Sequence, residues 1–65
     1  MIHYVFKLIY RVEGKKRKRI KYAHNTVPAG TDLKAVYLSA LFYGMSATLE
    51  NEFLIGLEYI GGTEI

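Results

Sequence analysis

Residues Ile2 to Val12 alternate with a period of two. Ile2, Tyr4, Phe6, Leu8, Tyr10 and Val12 share one face, and His3, Val5, Lys7, Ile9 and Arg11 share the other. Strand side chains point alternately to opposite sides, so this spacing predicts a half-buried β-strand. Glu13-Gly14-Lys15-Lys16 predicts a turn, with Gly14 free to take positive φ. Arg17 to His24 predicts the returning strand, with Ile20 and Tyr22 inward and Arg19, Lys21 and Ala23 outward. Asn25-Thr26-Val27-Pro28-Ala29-Gly30 reads as a loop, because Pro28 and Gly30 do not continue a ladder.

From Thr31 the apolar period lengthens to that of a helix. Thr31 suits the N-cap, Asp32 suits the positive end of the helix dipole, and Gly44 suits the residue just past the last turn. Met45 to Leu49 is then a connection or a further helical turn. Glu52 to Ile60 predicts a third strand with Phe53, Ile55, Leu57 and Tyr59 on one face, ended by Gly61-Gly62 and followed by a fraying tail, Thr63-Glu64-Ile65. The order ββαβ predicts one α+β domain over residues 1–65. Its three-stranded antiparallel sheet has the order 2-1-3, and the helix packs on the even face of the first strand. The opposite sheet face would show Val5, Lys7, Ile9, Arg11, Arg19 and Lys21.

The helix carries more apolar surface than one sheet face can cover. Leu33, Val36, Tyr37, Ala40 and Leu41 make a stripe facing the sheet. Leu38, Phe42 and Met45 make a second stripe on another side, interrupted by Lys34 and Ser39. Three strands of this length cover one helix face, and an exposed apolar patch on a small protein marks an interface. A symmetric dimer through this helix is the simplest partner arrangement. A long sheet and the Met45–Leu49 connection covering the stripe is the plainer alternative.

Composition narrows the function classes. The chain has 65 residues, 51% apolar, and no cysteine. It is therefore globular, with neither a disulfide nor a cysteine-based metal site or nucleophile, and self-association is the remaining common support for so small a core. The formal charge is +3 and the pI about 9.3. Residues 15–21 hold six of the nine Lys and Arg, whereas the chain beyond Leu49 is acidic and holds none. No signal peptide is read at the start, where His3, Lys7 and Arg11 interrupt the apolar run, and no segment is long enough to span a membrane. A cytoplasmic protein is the expectation.

Candidate chemistry is sparse. Lys15, Lys16, Arg17, Lys18 and Arg19, with Lys21, would set cations against phosphates from a hairpin tip, or would form a solvated tip that blocks edge aggregation. Tyr10 and Tyr22 lie beside this run, but both fall on the expected core face. His3 and His24 are placed to meet across the sheet, with no third metal ligand at suitable spacing. Glu50, Glu52 and Glu58 form no acid–base pair. They serve as an ordinary solvated edge or as contacts to a basic partner. There is no phosphate cradle and no nucleophile–His–Asp arrangement, so no cofactor, metal or enzymatic activity is expected.

Ile20-Lys21-Tyr22-Ala23-His24, followed by Asp32-Leu33-Lys34-Ala35-Val36-Tyr37 and the pair Tyr43-Gly44, resembles the small uracil-DNA glycosylase inhibitors of Bacillus podophages. The resemblance implies the same ββαβ order and a dimer through the helix. Tyr37 matches the family's helix tyrosine, and Leu33 stands where the family carries phenylalanine. The implied protein is a phage-type or mobile-element DNA mimic acting in the host cytoplasm. Such a homodimer would take an apolar loop of its target into a pocket between helices, through Leu33, Tyr37, Leu38, Phe42 and Met45. Two departures bear on the target. Lys21 and Lys34 stand where the family has glutamates, and the hairpin turn is basic, so Glu50, Glu52 or Glu58 must supply the carboxylates. The expected function is a non-enzymatic inhibitor of a host DNA-processing protein, with uracil-DNA glycosylase as the candidate target. Two other readings stand beside it. One is a small nucleic-acid-binding protein using the Lys15–Arg19 hairpin and the basic sheet face. The other is an anti-defence inhibitor of a different nucleic-acid enzyme.

Overall fold

In a computed structural model describing residues 1–65, the chain forms strand β1 (Ile2–Val12), strand β2 (Lys18–Val27), helix α1 (Leu33–Ser46) and strand β3 (Glu52–Glu64). All pairings are antiparallel and the sheet order is β2-β1-β3. The fold class and strand order therefore agree with the alternation pattern. Gly14 takes the left-handed φ of 77° expected for the turn.

The even face of β1 makes the core. Phe6, Leu8 and Tyr10 are buried beneath Val36 and Ala40 of α1, with Ala23 of β2 beside them. An α-helix rises about 1.5 Å per residue, so α1 is about 21 Å long, while β3 extends about 43 Å. The molecule measures 42 × 16 × 13 Å. Its radius of gyration is 12.9 Å, against about 11 Å for a compact chain of this length. One short helix on a long ribbon leaves much apolar surface uncovered.

Several local expectations are corrected. The N-cap is Asp32, whose carboxylate accepts from the Lys34 amide at 3.1 Å, whereas the Thr31 hydroxyl donates to the Pro28 carbonyl at 2.7 Å. Asp captures the free amides of the first turn better because its acceptor is charged. Gly44 does not stop the helix. It is buried inside it, and α1 runs on to Ser46 with Ala47 as C-cap. Strand β2 begins at Lys18 and continues to Val27, so Asn25, Thr26 and Val27 belong to the ladder. The tail does not fray either. Thr63 and Glu64 pair with His3 and Ile2, and the Ile65 amide donates to the Met1 carbonyl.

Strand β2 turns to the helix the face that its alternation assigns to solvent. Arg11 stands opposite Lys18, so Tyr10, Leu8 and Phe6 stand opposite Arg19, Lys21 and Ala23. Directly opposed residues of an antiparallel pair share a face, and a one-residue shift exchanges the whole set. Arg19, Lys21 and Ala23 therefore lie on the helix side. Ile20 and Tyr22, expected inward, lie on the open side and are exposed. Strand β3 departs in a related way. Register shifts opposite Val5/Phe6 and Ile9/Tyr10 each add one residue to β3. A bulge of this kind resets the alternation. Leu54, Leu57 and Tyr59 therefore face the helix side with Tyr10, Leu8 and Phe6, while Phe53 stands opposite Arg11 on the open side.

Candidate functional site

Three surfaces result, and the first is the helix. Only Val36, Ala40 and Gly44 of α1 are buried. Of the stripe expected on the sheet, Leu33 and Tyr37 are exposed and Leu41 is half-buried. The narrow contact follows from the small residues Ala40 and Gly44, which bring the helix close along one line. Tyr37 still sets its ring edge-on to Phe6, with centroids 6.2 Å apart. The second stripe is uncovered throughout, as its spacing predicts. Leu38 and Met45 are exposed and Phe42 is 65% exposed. Leu49, just beyond the helix, is exposed too. Leu38, Phe42 and Met45 follow one another at i, i+4 and i+7 along α1, with no catalytic group among them.

The second is a polar buckle at the end of the helix. The Arg19 guanidinium donates to both carboxylate oxygens of Glu52, at 2.6 and 2.8 Å. It also donates to the Ala47 carbonyl at 3.4 Å and lies 4.5 Å above the centre of the Tyr10 ring. The Leu49 amide donates to Glu52 at 3.0 Å. Glu52 is only 8% exposed. Two candidate site residues thus leave their expected roles. Glu52 is not a partner contact but an internal counter-charge, and Arg19 is not free to meet phosphate. Lys21 is also drawn in, with its ammonium 5.2 Å from the Tyr43 ring centre. Nothing in the sequence marks this buckle: the charged residues at odd positions of β2 read as solvent-facing, and only the pairing with β1 turns them to the helix side.

Hydrogen bonding from Arg19 holds the Glu52 carboxyl below its ordinary value of 4.5, outweighing the opposing effect of burial, and the Leu49 amide acts in the same direction. The same bond raises the Arg19 pKa further above its usual value. A carboxyl with a depressed pKa in the folded state adds stability that is fully present above its unfolded value. That stability is lost as pH falls through the lower folded value. We expect Glu52→Gln to melt below the wild type at pH 7, with the gap closing as the pH falls below about 4.5. Thermal melts over that range test this, and an unchanged gap would remove Glu52 titration as the cause.

The third surface is the open face of the sheet. It carries Val5, Lys7, Ile9 and Arg11 as expected, but Ile20, Tyr22 and Phe53 replace Arg19 and Lys21. Lys7 and Glu58 approach to 3.9 Å near the surface. Arg11 places its guanidinium 5.4 Å from the Phe53 ring centre. The exposed turn holds Lys15, Lys16, Arg17 and Lys18. At the far end His3 and His24 do meet. Their rings stack with centroids 5.2 Å apart, His3 Nε2 and His24 Nδ1 are 3.0 Å apart, and His3 Nδ1 lies 2.9 Å from the Thr26 hydroxyl. No cluster of three or more His, Cys, Asp or Glu is gathered for a metal. Glu50 is exposed in the α1–β3 connection, one residue before Asn51, which takes a φ of 70°.

No helix is long and apolar enough to cross a membrane. Comparison with protein-family models, with curated proteins and with solved structures finds no match to this chain.

Proposed function

We propose that this chain is a non-enzymatic interaction protein that self-associates through α1 and blocks a host DNA-processing protein. The exposed stripe of Leu38, Phe42 and Met45 carries this reading. Apolar side chains aligned on one helix face lose free energy to water unless a partner covers them. A second copy offers the same stripe, and an isologous contact closes on itself. Leu33 and Tyr37, also exposed, lie near the start of the same helix and would line the mouth of a pocket between two helices.

The resemblance to the podophage inhibitors makes uracil-DNA glycosylase the candidate target, with an apolar loop of the enzyme as the group gripped. Of the acidic candidates, Glu50 and Glu58 are exposed and Glu52 is committed to Arg19. The apolar grip therefore has to contribute more, and DNA mimicry less, than in the family resembled. Another nucleic-acid enzyme with an exposed apolar loop fits the same surface.

Phe42→Glu is expected to turn a dimer into monomers, because a buried carboxylate without a counter-charge opposes association. Light scattering of both proteins checks it, and a monomeric wild type would sink the self-association reading. Adding each protein to a uracil-DNA glycosylase with a uracil-containing oligonucleotide checks the target. The wild type should inhibit stoichiometrically and Phe42→Glu should not. Full activity in the presence of wild type rejects that enzyme.

A further inference from the structure

We infer that the open face of the sheet binds single-stranded nucleic acid, with Phe53 and Tyr22 as stacking surfaces and Arg11, Lys15 and Lys16 as phosphate contacts. This surface lies on the side of the sheet away from α1 and does not depend on the self-association reading.

The first support is the placement of the aromatic rings. The β2 register and the β3 bulge together put Tyr22 and Phe53 on the uncovered side, 49% and 48% exposed. Two half-exposed rings on a flat strand surface offer π-faces to unpaired bases. Bases in a duplex already stack on one another and have no free face to give. Tyr22 stands opposite Lys7 and Phe53 opposite Arg11. Four residues along the strand and two strand spacings across place the rings about 16 Å apart. A mononucleotide reaches one ring, whereas an oligonucleotide reaches both.

The second support is charge. Beside Phe53 an open depression of about 440 Å³ is lined by Arg11, Lys15 and Lys16, with Glu13 as its one carboxylate. Arg11 serves both functions, because its guanidinium is 5.4 Å from the Phe53 ring centre and Arg11 also lines the depression, so a phosphate held there meets a cation beside the ring. Across the open face and turn, Glu13 and Glu58 are the acids set against Lys7, Arg11, Lys15, Lys16, Arg17 and Lys18. Protein interfaces are depleted in lysine, whereas phosphate tracks are built from lysine and arginine. The lysines therefore favour a polyanion over a protein, and the half-exposed rings favour a polyanion with free bases.

The test is fluorescence anisotropy with a labelled single-stranded oligonucleotide of about twelve nucleotides. The matching duplex is measured in parallel, at about 50 and 200 mM salt. The single strand should bind more tightly than the duplex, and more weakly as salt rises. Stacking contributes about 1–3 kcal/mol per base, so Phe53→Ala and Tyr22→Ala should each weaken binding about 5- to 150-fold. Phe53→Leu, which keeps an apolar cover without a π-face, should behave like Phe53→Ala. Lys15→Glu with Lys16→Glu should flatten the salt dependence. Phe42→Glu should leave the affinity per protomer unchanged, which separates this surface from the helix. Tighter binding of duplex, no binding at the lower salt, or equal affinity in folded Phe53 and Tyr22 variants would each overturn the proposal.

Discussion

Leu8→Ala is expected to lower the stability of the fold by about 2–5 kcal/mol. Leu8 has no solvent exposure and lies at the centre of the even face of β1, between Phe6 and Tyr10. Removing its isopropyl group leaves a cavity that Gly44, having no side chain, cannot fill. A domain of this size holds only about 3–10 kcal/mol of stability in total, so the loss is comparable with the whole. Leu49→Ala is the control, because Leu49 is among the exposed apolar residues. It should stay within about 0.5 kcal/mol. Urea titrations at one protein concentration measure both, and equal midpoints would show that Leu8 is not the centre of the core.

Gly44→Val is the second large effect, at about 1–3 kcal/mol. A β-carbon at Gly44 would lie 2.9 Å from one methyl of Leu8 and 3.2 Å from a methyl of Leu54. Leu8 is enclosed and cannot swing aside, so the helix must lift. Lifting it stretches the 2.6 Å hydrogen bond from the Tyr10 hydroxyl to the Gly44 carbonyl. Valine's better helix propensity returns only part of this, on the order of a few tenths of a kcal/mol. The two substitutions are coupled. In a Leu8→Ala background the valine enters vacated space, so Gly44→Val should cost less there than in the wild type. A double-mutant cycle reads the difference, and strict additivity would mean that the close approach at Gly44 does not limit helix packing.

These two residues also show where local pattern stops being informative. Glycine near the end of an apolar helical run is a common terminator, and nothing within five residues of Gly44 says otherwise. What keeps it helical is Leu8, thirty-six positions away, together with the Tyr10 hydroxyl. The buckle is similar. Arg19 and Glu52 are separated by thirty-three residues, and each looks like a solvated surface charge in its own segment. Leu38, Phe42 and Met45 are exposed as their spacing implied, while Glu52 and Arg19 are taken by each other and Lys21 turns toward Tyr43.

The order of elements, the antiparallel sheet and the uncovered helix stripe were determined by sequence alone. They follow from periodicities of two and 3.6 that each segment expresses by itself. Which face β2 turns to the helix, where β3 bulges, and hence the exposure of Tyr22 and Phe53, were decided only in the tertiary structure. Register is a relation between strands, and a shift of one residue reverses every side chain while leaving each strand's own alternation intact. Here the small side chain of Ala23 under the helix and the Arg19–Glu52 pair favour the register that carries Ile20 and Tyr22 outward.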